Sequence, residues 1–495
     1  MKQWAISGVD LHLDIAGGTG ARAGLENALR EAVRDGRLTP GTRLPSSRTL
    51  ARDLGVARNT VADAYGQLVA EGWLTARQGS GTRVGDGWRP AGPSAAPPRG
   101  SLVTSPHPHA IPRPRGTEHP AGTPEPAADP PQNREPVPYD LRPGSPDLGS
   151  FPRAAWSAAA RRALAAAPND ALGYADPRGR PELREALAAY LGRARGVRTA
   201  PELVVVCTGY VQAAGLVGRA LRTRGARRVA VEALGFRHTL HILRTAGLST
   251  VPLTVDDDGA RVHALDAGVD AALLTPAHQF PYGAPLSPER RTATVAWARA
   301  TGGLVLEDDY DGEFRYDRQP VGALQGLAPE HVVYAGTASK SLAPGLRLAW
   351  LALPPALVQP VLAEKVLADH QSPVLDQLTL AELIASGGYD RHVRRMRLHY
   401  RRRRDRLVAA LATHAPAVRV TGIAAGLHAV VRLPPGTSAG ALVARAREQG
   451  LGLQSLADFG STEDDALVVG YGAPPEHAFA GCLDMLCALL AAHTA

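Results

Sequence analysis

Lysine is almost missing from this chain. Among 55 Lys and Arg residues, the lysines are Lys2, Lys340 and Lys365 alone. Arginine therefore supplies the surface charge. A lysine kept inside the small, apolar run GTASKSLAPGLRLAW (336–350) suggests a role that guanidinium cannot fill, because an amine can deprotonate and a guanidinium cannot. Cysteine is equally scarce. Cys207, Cys482 and Cys487 form neither a ligand-spaced set nor a disulfide framework, so no metal is expected and a reducing compartment is. No stretch approaches the roughly 20 apolar residues of a spanning helix, and residues 1–10 lack a basic start followed by an apolar run. The expectation is a soluble cytoplasmic protein. Charge of one sign does not dominate: the net +8 and pI near 9.6 permit contact with nucleic acid without demonstrating it. What is present is 495 residues, 44% hydrophobic, enough for two or three cores.

Residues 86–138 divide the chain. They contain GPSAAPPRG, SPHPHAIPRPRG and PAGTPEPAADPPQ, which lack the bulky apolar residues needed to offset ordering entropy. A Pro-rich flexible linker is expected there, spanning roughly 40 Å on average as a coil. From residue 139 the pattern alternates apolar strands (LVVVCTG, RRVAVEA, AALLTPA, GGLVLEDDY) with helical stretches (WSAAARRALAAA, PELREALAAYLGRA, PERRTATVAWARA). That alternation predicts an α/β domain with a mainly parallel sheet over 139–371. Residues 372–495 read as a smaller α+β subdomain. Within it, DRHVRRMRLHYRRRRDRL (390–407) places Val393, Met396, Tyr400 and Leu407 on one helical face, with a solvated basic side opposite.

The segment before the linker, 10–85, has its own signature. Ser46 or Ser47 is a natural N-cap for a helix to about Leu54. Gly55 and Val56 make a turn, Ala57–Glu71 forms a second helix, and a two-stranded wing follows over Trp73–Val84. Seven arginines between residues 37 and 83, against Asp53, Asp63 and Glu71, make the module locally basic. Helix, turn, helix and wing is a DNA-binding arrangement that presents Arg58, Asn59 and Thr60 to the major groove. The run GTRLPSSRTLARDLGVARNTV with its Gly-tipped wing closely resembles the GntR-type winged helix-turn-helix family. The resemblance implies DNA contacts from Arg48, Arg58, Asn59 and Thr60, with Gln78, Gly79 and Ser80 near the minor groove.

The lysine lies about 30 residues after VLEDDYDGEFRY (305–316), at the end of the strand-like VVYAGT. One reactive amine among acids, aromatics and small residues suits Schiff-base chemistry. Pyridoxal 5'-phosphate needs an amine, a carboxylate for its ring nitrogen, a flat residue over its ring and donors for its phosphate. Lys340 is the candidate amine and Asp308 the candidate pyridinium partner. Tyr310, two residues on, shares Asp308's side of an extended chain and can reach the ring oxygen. The amides of Gly209, Tyr210 and Val211 open a helix after a strand and can hold phosphate. Thr337, Ser339 and Arg347 complete the phosphate set, and Phe236 is the candidate stacking aromatic. Asp311 and Glu313 read as structural or surface residues.

On YDLRPGSPDLGSFPR, LGYADPRG, TPAHQFPYG, EDDYDGEFRY and GTASKSLAPGLRL, the chain resembles fold-type I aminotransferases, and more closely the MocR group, which fuses a GntR-type head to that fold. The resemblance implies that Lys340 is the Schiff-base lysine, with Asp308, Tyr310 and Arg347 as ring and phosphate contacts and Gln279 beside the cofactor. It implies that Tyr174 reaches the phosphate of a neighbouring subunit in a homodimer, whose two heads read two half-sites of double-stranded DNA. Two departures matter. Phe236 stands where the family usually has tyrosine. Neither SLADFG (455–460) nor VVGYGAPP (468–475) supplies an arginine to clamp a substrate carboxylate. The expected function is a transcriptional regulator that senses pyridoxal phosphate, or an amine or amino-acid effector, in the manner of the pyridoxine-biosynthesis branch or of branches answering amines. A working aminotransferase with an accessory head, and a DNA-binding protein whose body only dimerises, stay open.

Overall fold

The computed structural model describes residues 5–6, 9–10, 21–34, 38–77, 81–85, 137–316, 322–463 and 465–494. Residues 86–136 of the expected linker, and the wing-tip residues Gln78, Gly79 and Ser80, lie outside them.

The head begins with α1 (Ala21–Arg34), followed by α2 (Ser47–Leu54) and α3 (Arg58–Ala70). Ser46 caps α2, its hydroxyl accepting from the Thr49 amide at 3.1 Å. Gly55 then ends the helix in the left-handed conformation, φ 68°, the usual way to close a helix and turn the chain. The wing is the antiparallel pair β1 (Leu74–Arg77) and β2 (Gly81–Val84). Leu25, Leu29, Leu50, Val61, Leu68 and Trp73 form the head's core, which runs on into Leu286, Leu324 and Leu327 of the body. At that junction Glu71 is buried and takes two hydrogen bonds from Arg30, at 2.8 and 2.9 Å, and one from Gln67 at 2.7 Å. Arg291 of the body meets the Glu71 carbonyl at 3.4 Å. Burial, the largest single influence, would raise the Glu71 carboxyl, but Arg30, Gln67 and Arg291 together outweigh it and the net shift is downward.

The body holds α4 (Pro181–Arg195), β3 (Val204–Cys207), α5 (Tyr210–Thr223), β4 (Arg228–Glu232), β5 (Ser249–Leu253), β6 (Ala271–Leu274), α6 (Pro288–Thr301), β7 (Leu304–Asp309), β8 (Val332–Thr337) and β9 (Ala349–Ala352). Its seven-stranded sheet runs β3-β9-β8-β7-β6-β4-β5. Only β9 is antiparallel to its neighbours. Strands β3, β6, β8 and β9 are buried at every position, as expected of a sheet covered on both faces. The carboxyl ends of β3, β7 and β8 come together at one edge, the usual binding end of such a sheet.

The small subdomain contributes α7 (Gly388–His414), β10 (Arg419–Thr421), β11 (His428–Arg432), β12 (Gln454–Ser455), β13 (Ala466–Gly470) and α8 (Glu476–Thr494), with sheet order β10-β11-β13-β12. In α7, Val393, Met396, Tyr400 and Leu407 are buried as their spacing predicts. Arg403 departs from the solvated-face expectation. It is buried, bonded to Asp147 at 3.1 Å, to Glu476 at 2.9 Å and to the Pro474 carbonyl at 2.7 Å. No helix among the described residues is long and apolar enough to cross a membrane.

Candidate functional site

β7 sets the site by its two-residue period. Glu307 and Asp309 face away from it: Glu307 accepts from the amides of Leu324 and Gln325 at 2.8 Å, and Asp309 pairs with Arg195 at 2.7 and 3.0 Å and with Tyr334 at 2.8 Å. Asp308 and Tyr310 therefore share the opposite face. Burial pushes the Asp308 carboxyl up to about 8. Tyr210 and Lys340 pull it down, while Asp309 and Glu232 push it further up. A carboxyl strained in this way gains stability when a cation is placed against it.

Lys340 sits just beyond the end of β8, half-buried, with its Nζ donating to the Gly144 carbonyl at 2.6 Å. Thr337 and Ser339 bracket the approach, their hydroxyls 2.8 Å apart, and the Ser339 amide donates to Thr337 Oγ1 at 3.1 Å. Arg347 adopts a left-handed backbone, φ 52°, and its guanidinium reaches the Thr208 carbonyl at 2.7 Å. That brings it against Gly209, whose φ of 95° precedes α5. A Cβ on Gly209 would lie 2.5 Å from Arg347 Nη2. The glycine thus leaves an open cradle between a helix N-terminus and an arginine, which suits an anion. Tyr210 Oη is buried beside Asp308 and Thr239. Val211 is 38% exposed.

The other candidates divide. Phe236, 38% exposed, ends the loop after β4 and immediately precedes a helix. Tyr174 is 95% exposed and meets His370 edge-on at 5.8 Å. Gln279 does not present its side-chain nitrogen to the site. It is fully buried and donates to the Glu232 carboxylate and to the carbonyls of Leu234 and Phe280. In the head, Arg48, Arg58 and Asn59 are exposed and Thr60 is half-buried, so the start of α3 is open for a groove.

Sequence reasoning missed a buried cluster beside Tyr310. His278, Asp311 and His428 place possible ligand atoms within 4.8 Å of one another. Asp311 and Glu313 are not surface residues; they are 2% and 8% exposed. The chain leaves its strand at Asp309, so the two-residue period no longer says where Asp311 and Glu313 face, and no local pattern pairs Asp311 with a histidine 33 residues earlier.

The site combines an amine, an acid that would gain from a cation, and an anion cradle. These suit an aldehyde-bearing aromatic cation with a phosphate, and the same chain carries an exposed DNA-reading helix. Together they define a regulator built on an enzyme fold. Residues 140–463 match aminotransferase class I and II, and residues 22–84 match bacterial regulatory proteins of the gntR family. The chain belongs to the MocR group of transcriptional regulators, which joins those two parts. It is 32% identical to the HTH-type pyridoxine biosynthesis transcriptional regulator PdxR of Corynebacterium glutamicum, over 91% of this chain and 92% of that one. It is also 32% identical to the probable rhizopine catabolism regulatory protein MocR of Rhizobium meliloti, over 94% and 93%. Among solved structures it resembles an archaeal alanine:glyoxylate aminotransferase, at 26% identity and a TM-score of 0.66, covering 72% of this chain and 91% of that one. The aminotransferase class I and II fold implies pyridoxal phosphate as the cofactor.

Proposed function

We propose that this chain is a pyridoxal-phosphate-responsive repressor or activator, in which occupancy of the site at Lys340 sets the disposition of the DNA-binding heads. Two observations support it most directly, the charge contact of Lys340 with the buried Asp308 and the glycine cradle that Gly209 leaves against Arg347, in a chain whose α3 is open to DNA. Lys340 would hold the cofactor's aldehyde and Asp308 its ring nitrogen. Gly209, Tyr210 and Val211 would hold the phosphate by their amides, with Thr337, Ser339 and Arg347 alongside. Phe236 would cover the ring. When bound, the cofactor supplies an electron-withdrawing ring and an exchangeable carbonyl for amines.

The effector in this reading is the cofactor itself or a small amine. The arginine on β11, Arg432, is committed to Asp465 at 2.7 Å and stacks on Tyr282 at 5.5 Å. Val468 and Phe459 pack with Phe280 in an apolar cluster beside it. That surrounding disfavours an effector carboxylate. The name of the Corynebacterium relative supports a role in vitamin B6 metabolism. The working division is a head over 10–85, a linker over 86–138, a large domain over 139–371 and a small one over 372–495. In a cytoplasmic homodimer, Tyr174 would reach the neighbouring subunit's phosphate site, Gln78, Gly79 and Ser80 would approach the minor groove, and Gln279 would act from behind the pocket wall.

Lys340→Ala should remove the visible absorbance of the purified protein and abolish the effector's influence on operator binding. Retention of both would refute the proposal. One observation favours a second reading: the chain is 31% identical to the 2-aminoadipate transaminase of Thermus thermophilus over 62% of its length. Steady turnover of an amino-acid and keto-acid pair would establish that reading instead.

A further inference from the structure

The body keeps a second lysine, and it too has a defined place. Lys365 lies in the last turn of the helix Pro355–Ala368 and is fully buried. Its Nζ donates to Asp369 Oδ1 at 2.6 Å and to Ser372 Oγ at 3.0 Å. The other carboxylate oxygen, Asp369 Oδ2, accepts from Gln212 Nε2 at 2.7 Å. Gln212, in the first turn of α5, accepts in turn from the Thr208 amide through its Oε1 at 2.8 Å. The Thr208 carbonyl is the group that Arg347 holds at 2.7 Å. Thr208, which precedes the cradle glycine Gly209, is therefore gripped at its amide by Gln212 and at its carbonyl by Arg347.

We infer that Asp369, anchored by Lys365, is a positioning residue that orients the Gln212 side chain and through it holds the Thr208–Gly209 turn in the shape that takes a phosphate. The inference rests on the proposed phosphate role of that turn. The orientation follows from donor and acceptor chemistry. An ionised carboxylate only accepts and an ammonium only donates. Gln212 must therefore turn its Nε2 to Asp369, which leaves its Oε1 for the Thr208 N–H.

Local structure supports this. Asp369 stands at the C-cap of its helix, where a carboxylate meets the negative end of the helix dipole, so the helix itself gains nothing from an acid there. The turn that carries Asp369 is firmly held. The amides of Asp369 and His370 donate to the Lys365 carbonyl at 3.1 and 3.2 Å, His370 takes a left-handed backbone with φ 59°, and Gln371 Oε1 accepts from the Ala175 amide at 2.6 Å. At the other end, α5 has glycine as its N-cap and no side-chain cap. A glutamine at the third helical position that reaches back fixes the chain entering a helix, and here it grips the residue before the cap. A turn already held in its bound shape loses less entropy when the ligand arrives.

Asp369→Asn tests the inference. Lys365 can only donate, so it takes the new amide oxygen and turns the amide nitrogen toward Gln212. Gln212 must then offer Oε1 to that donor and releases the Thr208 amide. Titrating the full-length protein with pyridoxal 5'-phosphate and with 5'-deoxypyridoxal, which keeps the ring and aldehyde but lacks the phosphate, gives the phosphate's share of affinity as a ratio. Asp369→Asn should cut that ratio roughly threefold to tenfold and leave 5'-deoxypyridoxal binding unchanged. Gln212→Ala should cut it equally, and the double variant should lose no more than either, because both act along one path. Losses that add, or an equal weakening of both ligands, would show a merely structural role and overturn the inference. In the cofactor-free protein, hydrogen exchange at the Thr208 amide should quicken in Asp369→Asn while exchange in β8 stays unchanged; an unaltered Thr208 rate also overturns it. If Asp369→Asn does not fold, Gln212→Ala carries the comparison, and an unaltered ratio there overturns the inference. Wild-type protein that binds the two aldehydes equally defeats the proposed phosphate site, and the Thr208 exchange rate alone then decides this inference.

Discussion

Gly209→Ala separates backbone strain from anion binding. Gly209 has φ 95° and ψ 166°, a region essentially reserved for glycine, so any side chain there costs about 1–3 kcal/mol. The new methyl would also sit 2.5 Å from Arg347 Nη2 and 2.6 Å from its Cζ. Arg347 is exposed and its end is flexible, so it would swing aside, losing its 2.7 Å bond to the Thr208 carbonyl and its place over the cradle. A charge-assisted hydrogen bond contributes about 1.5–3 kcal/mol, so pyridoxal phosphate should bind roughly 10- to 100-fold more weakly. Gly225 is the control: its φ is 103°, and a Cβ there meets nothing within 4 Å. Gly225→Ala should show comparable strain in thermal melting but unchanged cofactor affinity. The assay is cofactor titration of the apo forms, followed by visible absorbance. Equal cofactor affinity in Gly209→Ala and wild type would refute the assignment of this cradle to the phosphate.

Other outcomes follow from the same contacts. Glu71→Ala takes from Arg30 its closest carboxylate at the head–body junction, in a pair with side-chain exposures of 12% and 3%, and leaves it Glu26 at 3.6 Å and Asn27 Oδ1 at 2.9 Å; it should cost about 1.5–3 kcal/mol in denaturant unfolding, and a loss below about 1 kcal/mol would argue against a buried junction. Burial holds His428 and His392 neutral, with pKa values pushed down to about 3 and about 4. The unfolded chain takes up protons near pH 6.5 while the folded one does not, so stability should fall as pH drops below about 6.5. His428→Gln should flatten that slope, and an unchanged slope in pH-dependent unfolding would contradict the burial argument. Arg58→Ala, at the exposed start of α3, should weaken operator binding by about 1–3 kcal/mol in gel-shift titration; unaltered binding would remove Arg58 from the interface.

Much of this was legible in the sequence, for physical reasons. Lys340 stood out because arginine had taken every ordinary cationic role. Asp308 was separable from Asp309 by the strand's two-residue period, and the structure places them on opposite faces, with Asp309 locked to Arg195. The cap at Ser46 and the turn at Gly55 follow from local chemistry, and both are where expected. What escaped depends on long-range closure. Arg195, Arg291 and Arg403 are buried, whereas composition suggested solvated arginine. For Arg195 and Arg403 the carboxylate partners lie far along the chain: Asp309 is 114 residues from Arg195, and Asp147 is 256 from Arg403. The Asp311–His278 pair, 33 residues apart, was hidden in the same way. The inward turn of Gln279 depends on Glu232, a strand away.

The scarcity of lysine allows a direct test of the central claim. Lys365 is fully buried and bonded to Asp369 at 2.6 Å and Ser372 at 3.0 Å, so Lys340 should be the residue that carries the cofactor. Borohydride reduction of the purified protein with bound pyridoxal phosphate, followed by peptide mass mapping, should find the reduced phosphopyridoxyl group on the peptide containing Lys340. Finding it on Lys365 or Lys2, or on no lysine at all, would contradict the account.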